Sequence, residues 1–164
     1  MEIINASTKK HFEDIAKLSK IVWHHTYDSI IGYDQVEYMT DKFQSKTAIE
    51  RDINDNSYEY LVIYKNNELV AYSGARPDND NRLFLSKVYV SPDFQGQSFG
   101  KTLINTFIKR YKSKGFSKIW LTVNKNNTKA INIYKKIGFI KIDSVVTDIG
   151  NGFVMDDYIM EKDI

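Results

Sequence analysis

The chain has no cysteine, only two prolines and no long apolar run among its 164 residues. The missing cysteine excludes disulfides and thiolate metal sites, which fits a reducing cytoplasm. No stretch approaches the roughly 20 apolar residues of a membrane-spanning helix. The opening MEIINASTKKHFEDI lacks the apolar core of a signal peptide, so a cytoplasmic protein with no membrane partner is expected. An excess of one charge is also lacking: the net value is +2, too small to argue for nucleic acid. Lys109, Arg110, Lys112, Lys114 and Lys118 do cluster, but lysines around a helix end read as a solvated face. His24-His25 has no obvious third ligand, so no metal site is expected. What is present, 42% hydrophobic and 27% charged residues, suits one soluble domain over residues 1–164.

The most informative stretch runs from Leu83 to Phe139. A β-rich run, Leu83 to Val90, ends at Ser91-Pro92, because proline cannot continue a central strand. A loop with Gly96 and Gly100 then opens into an amphipathic helix. Leu103, Ile104, Phe107, Ile108 and Tyr111 share one face of it, and Gly115 stops it. Ile119, Leu121 and Val123 alternate along the following strand, completing a βαβ unit. The backbone N–H groups from Gln97 to Lys101 lack intrahelical acceptors, and the helix dipole adds about half a positive charge, so the loop is a ready anion site. Lys101 lies in the first turn, where the dipole disfavours a cation unless an anion sits beside it. Taken alone, the loop reads first as an ordinary strand-to-helix turn; it is neither a GxGxxG fingerprint nor a Gly-Lys-Ser/Thr phosphate loop. A second helix follows Asn127, its N-cap, with Ala130, Ile133, Tyr134 and Ile137 on one face and Gly138 at its end.

Around this stretch the order is legible. Met1 to Ala6 reads as a strand and Ser7 or Thr8 caps a helix running to about Tyr27. Two shorter helices follow, over Tyr33 to Phe43 and Lys46 to Ile53. Tyr58 to Lys65 and Glu68 to Arg76 form a hairpin across Asn66-Asn67, and Pro77 to Arg82 is a polar loop. Phe139 to Val146 and Phe153 to Met160 are the last strands, with a turn over Asp148 to Gly152. This is an α/β fold with a mixed sheet and helices on its faces.

Two motifs carry a resemblance. Gln95-Gly96-Gln97-Ser98-Phe99-Gly100 resembles the pyrophosphate loop (Gln/Arg-x-x-Gly-x-Gly/Ala) of the GCN5-related N-acetyltransferases, the GNAT superfamily. Asn127 to Phe139, with N-x-x-A-x-x-x-Y-x-x-x-G-F spacing, resembles the second motif of that family. The likeness covers nearly the whole chain, weakly at first and strongly from Leu83. It implies a single-domain GNAT fold: a mostly antiparallel sheet, a splayed parallel central strand pair and helices on both faces. It also implies an enzyme that moves acetyl from acetyl-CoA, a cosubstrate, to a primary amine without a metal. Ser98 departs from the pattern where the family usually has glycine; its hydroxyl could cap the helix or bond a phosphate oxygen.

The resemblance assigns site residues. The backbone of Val88, Tyr89 and Val90 would pair with the donor's pantetheine arm, and Gln95 to Lys101 would hold its pyrophosphate. Asn127 would cap its helix and touch the donor. Tyr134 would protonate the departing thiolate, a transfer uphill by about 2 kcal/mol between unperturbed groups. The run Trp23-His24-His25-Thr26-Tyr27, Tyr33 to Met39 and the tail Gly150 to Tyr158 are similar to bacterial spermidine/spermine N-acetyltransferases. Trp23 and Tyr27 would then meet a polyamine by cation–π contact, and Asp156 and Asp157 by ion pairing. The alternatives are a protein, peptide or other small amine as acceptor, or a non-catalytic acyl-CoA sensor. No base for the amine is identifiable. The sequence is compatible with a homodimer and does not require one.

Overall fold

The computed structural model describes residues Met1–Ile164. Strand β1 (Glu2–Asn5) leads to α1 (Lys9–Ile31). Thr8 starts that helix with a reciprocal cap: its hydroxyl accepts from the His11 N–H, and the His11 ring accepts from the Thr8 N–H. The helix continues past the expected end near Tyr27 because nothing breaks it before Gly32, whose φ of +89° stops the spiral. Helices α2 (Tyr33–Phe43) and α3 (Lys46–Asp55) follow, then strands β2 (Glu59–Lys65), β3 (Glu68–Asp78) and β4 (Arg82–Val90). A 3-10 turn at Pro92–Phe94 enters α4 (Phe99–Lys112). The remainder is β5 (Lys118–Asn124), α5 (Thr128–Ile137), β6 (Ile140–Gly150) and β7 (Phe153–Asp163).

The strands form one sheet in the order β1-β2-β3-β4-β5-β7-β6, antiparallel throughout except between β4 and β5. Hairpin chemistry matches expectation: Asn66 and Asn67 both have positive φ, as do Asn151 and Gly152, the signature of tight primed turns. The polar loop expected over Pro77 to Arg82 is shorter, because Pro77 and Asp78 pair with Leu83 and Arg82. Proline is tolerated there since β2 pairs with β3 only as far as Ala75, leaving the other edge of Pro77 without a partner.

Two layers of helices cover the sheet. Phe99, Leu103, Ile104, Phe107 and Tyr111 of α4 close the larger core over Leu83, Leu85, Ile119, Leu121 and Met160. On the opposite face, Phe12, Ile15, Leu18 and Val22 of α1, with Ile49 of α3, cover Tyr60, Val62 and Tyr72. A smaller cluster joins Trp23 and Tyr27 to Val36 and Met39 of α2 and to Ile149. On α5 it is Ala130, Ile131, Tyr134 and Ile137 that pack against the core, whereas Ile133, expected on that face, is exposed.

Candidate active site

The parallel pair is joined only at its start. Arg82, Leu83 and Phe84 register with Lys118, Ile119 and Trp120, and beyond them the strands have no pairing. A bulge lies at the point of divergence: Gly74 faces Lys87 and Ala75 faces Leu85, leaving Ser86 unmatched. Such an extra residue bends the strand and raises its twist. Below the gap, Phe84 stacks on Trp120 with centroids 4.3 Å apart. Arg76 lies over the Phe84 ring and Arg82 over the Trp120 ring. This stack clamps the two strands where their ladder ends.

The bulge also turns Lys87 away from the face of Leu83 and Leu85. Its ammonium is buried 2.9 Å from the Asp52 carboxylate of α3, beside the Tyr60 hydroxyl. Burial pushes the Lys87 ammonium below its ordinary range, and Asp52 opposes that shift. The group fastens β4 to α3 just above the divergence.

Beyond the bulge, backbone direction alternates. The Ser91 N–H donates to the Val70 carbonyl at 2.8 Å, opposite it in register, so Ser91, Tyr89 and Lys87 turn their backbone to β3. Val88 and Val90 therefore turn theirs into the gap. Their side chains lie toward α4, where a Cβ on Gly100 would stand 3.6 Å from each. The side chain of Tyr89 lies on the other face, against Trp23 and Tyr72.

At the mouth of the gap, Gly96 has φ +80° with nothing near its Cβ position, and Ser98 is left-handed at φ +64°. Ser98 makes no side-chain cap; its carbonyl accepts the first α4 bond from Thr102. Gly96, Gln97, Ser98 and Lys101 are exposed, while Phe99 packs its ring into the core and leaves only its backbone for a ligand. The Lys129 ammonium donates to Gln95 at 2.8 Å, tying the start of α5 to the loop.

Across the gap, Asn127 caps α5 by accepting from the Ala130 N–H, and its amide donates to the Tyr27 hydroxyl at 3.0 Å. Trp23 stacks near Tyr27, centroids 4.6 Å apart, and its indole N–H is buried without a partner. Burial raises the phenols of Tyr27, Tyr89 and Tyr134 above the ordinary value, and Tyr27 adds to the shift of Tyr134. These three rings, from α1, β4 and α5, thus lie near enough to act on one another, beyond the point where the strands part.

The structure separates the two tail carboxylates, because neighbours along a strand face opposite ways. Asp156 is exposed and paired with Lys125 at 2.7 Å. Asp157 shares the face of Phe153 and Met155, which pack against the Trp23–Tyr27 cluster. It is 6% exposed and makes no hydrogen bond or ion pair. Burial, with the nearby Asp156, raises its carboxyl to about 6, and Lys125 opposes the shift. Its charge in turn bears on Tyr27 and Tyr89.

Lys87, Asp52, Phe84 and Trp120 were not singled out from sequence as site-forming; Lys129, which reads from sequence as a solvated lysine with a phosphate as the alternative, is bonded to Gln95. One signal was there for Lys87. The apolar alternation Leu83, Leu85 resumes out of step at Val88, Val90, as an inserted residue requires. No trio of His, Cys, Asp or Glu is gathered in a way that could hold a metal ion, and no helix is long and apolar enough to cross a membrane.

Comparison with known proteins bears on this geometry. Residues 22–139 match the acetyltransferase (GNAT) family. The spermine/spermidine N(1)-acetyltransferase of Bacillus subtilis is 27% identical over 123 residues, 68% of this chain and 77% of that protein. A putative [ribosomal protein bS18]-alanine N-acetyltransferase of the same organism is 30% identical over 95 residues, 57% of this chain and 62% of that one. The crystal structure of the PaiA N-acetyltransferase of Thermoplasma acidophilum, in complex with coenzyme A, superposes with a TM-score of 0.83 over 100% of both chains at 24% identity. A family match across most of the chain thus meets a sheet that opens between β4 and β5. The chain belongs to the acetyltransferase (GNAT) family and is an enzyme that carries acetyl from acetyl-CoA to an amine nitrogen.

Proposed function

We propose that the acceptor is a primary amine of a polyamine such as spermidine or spermine, and that residues 1–164 work as one catalytic domain in the cytoplasm. The observation that carries the acceptor is Asp157, a nearly buried carboxylate without a partner beside the Trp23–Tyr27 rings. An unpaired buried carboxylate is costly, and an ammonium group removes that cost. Aromatic faces next to it add cation–π attraction. The similarity to the spermine/spermidine enzyme points the same way.

On this reading Gln95, Gly96, Gln97, Ser98, Phe99, Gly100 and Lys101 receive the pyrophosphate on backbone N–H groups at the start of α4. The gap-facing backbone of Val88 and Val90 pairs with the pantetheine arm as an added strand would. Asn127 orients Tyr27 and the start of α5. Tyr134 protonates the leaving thiolate. Its raised phenol stays protonated at neutral pH. The same burial raises a thiol in the gap, so the transfer remains feasible.

The test is an amine panel that follows thiol release from acetyl-CoA. Spermidine and spermine should turn over, and small neutral amines or peptides should not; the reverse result removes the polyamine. In the same assay Tyr134→Phe should slow single turnover by roughly 10²–10⁴, the usual worth of general acid catalysis, with donor affinity little changed. A wild-type single-turnover rate in that variant returns Tyr134 to the core.

A further inference from the structure

We propose that Asp157 is the general base of the reaction, the group that takes the proton the acceptor nitrogen sheds as it becomes an amide. The assignment rests on the site described under the proposed function and adds to it the base that the sequence left unidentified.

Position comes first. Register places Asp157, on β7, opposite Asn124, the last residue of β5, so one strand separates it from the gap. Alternation along β7 turns it to the face of Met155 and the Trp23–Tyr27 cluster, while Tyr134 reaches the gap from the α5 side. Asp157 and Tyr134 both neighbour Tyr27, so an acceptor nitrogen that reaches the Tyr27 ring meets a carboxylate and a phenol. These are the base and the acid that acyl transfer asks for.

Availability comes second. The carboxylates nearest it on β7, α1 and α2 are engaged: Asp156 with Lys125, Asp28 with His24, and Glu37 with Lys20 and Tyr33. Asp157 alone is nearly buried and unpartnered. The groups facing it are Asp156 on its own strand, Lys125 after β5, Tyr27 from α1 and Tyr89 from β4. Among them only Lys125 favours the ionised form, and it is already held by Asp156. The balance leaves the Asp157 carboxyl near 6, ionised at neutral pH yet more basic than an ordinary aspartate.

The step balances. The amine lone pair forms the N–C bond with the thioester carbonyl carbon, and the C–S bond breaks with its electron pair on sulfur. The nitrogen proton goes to the Asp157 carboxylate, and the thiolate takes a proton from the Tyr134 hydroxyl. Both side chains then return to their starting states by exchange with water.

The experiment compares wild type, Asp157→Asn and, as a control at the exposed far end of the same strand, Asp163→Asn in pH profiles of kcat and kcat/KM, using the best amine of the panel. Asparagine keeps the shape and cannot accept the proton. Wild type should show an acidic limb near pH 6 that Asp157→Asn lacks, with kcat at pH 7.5 lowered by about 100-fold or more. The Asp157→Asn rate should climb with pH as the free amine becomes abundant, and Asp163→Asn should stay within about threefold of wild type. A raised acceptor KM with wild-type kcat in Asp157→Asn would make the residue a cation anchor and overturn the proposal. An unchanged profile would overturn it too. Failure of the polyamine reading looks different: the panel then selects another amine, and the same comparison is run on it.

Discussion

Asp157 should make the folded protein less stable at neutral pH than it needs to be, and the size of that effect can be worked out. Its carboxyl stands near 6 in the fold against an ordinary 3.8. Because the folded value is the higher one, folding favours the protonated form. Stability is therefore complete below about pH 4 and falls as pH rises through about 6. A difference of roughly two units at 1.36 kcal/mol each gives about 3 kcal/mol as a ceiling. Water reaching the open gap screens the charge, so about 1–2 kcal/mol is the working expectation. Asp157→Asn removes the charge at every pH and keeps the volume. Urea or thermal unfolding of both proteins from pH 4.5 to 8 isolates this one group, since all other carboxylates are common to the pair. The two should differ least near pH 4.5, where most of the loss still lies ahead. By pH 8 the variant should be more stable, by about 2–8 °C in Tm for a chain of this length. A variant that is less stable at pH 8, or one whose advantage does not grow with pH, would refute the reasoning.

Three other perturbations test the frame. Gly100→Asp should fold, since a Cβ there meets Val88 and Val90 at an ordinary 3.6 Å. It brings negative charge to the loop, and calorimetry should find acetyl-CoA affinity reduced by tenfold or more; unchanged affinity would move the phosphate site elsewhere. Ser98→Gly relieves a left-handed serine, worth about 1–2 kcal/mol, against the extra chain entropy of glycine, about 0.5–1 kcal/mol. Denaturation should therefore show a change between nil and about 1.5 kcal/mol of added stability, and a large loss of acetyl-CoA affinity would identify the hydroxyl as a phosphate ligand. For the buried pair, Asp52→Asn leaves the Lys87 ammonium without its counterion and should cost about 3 kcal/mol or more. Lys87→Met leaves Asp52 bonded to Tyr60 at 2.6 Å and should cost less; the opposite ranking in urea melts would mean the pair does not anchor β4.

The sequence by itself determined much of this protein, because local chemistry sufficed. Strand periodicity, the Thr8, Asn127 and Gly138 caps, the Asn66-Asn67 turn and the loop at Gly96 to Gly100 each depend on neighbours within a few residues. The two motifs from Gln95 to Phe139 carried the family resemblance because both lie in one contiguous stretch. Other features needed the tertiary structure. Which residue flanks the buried face of α5, Ile131 or Ile133, depends on how the helix lies on the sheet, since both border the line through Ala130, Tyr134 and Ile137. The two tail carboxylates look equivalent in sequence; the pleat and the packing of β7 send Asp156 to Lys125 and Asp157 to the face of the Trp23–Tyr27 cluster. Lys87 reads as one more strand residue until the bulge at Ser86 turns it to Asp52, on a helix far back in the chain. The bond from Asn127 to Tyr27 spans 100 positions, and no local periodicity reports it. Propensities and caps act over one turn or one strand. The site is built where β4 and β5 part, and it draws on α1, α5 and β7, which only the folded sheet brings together.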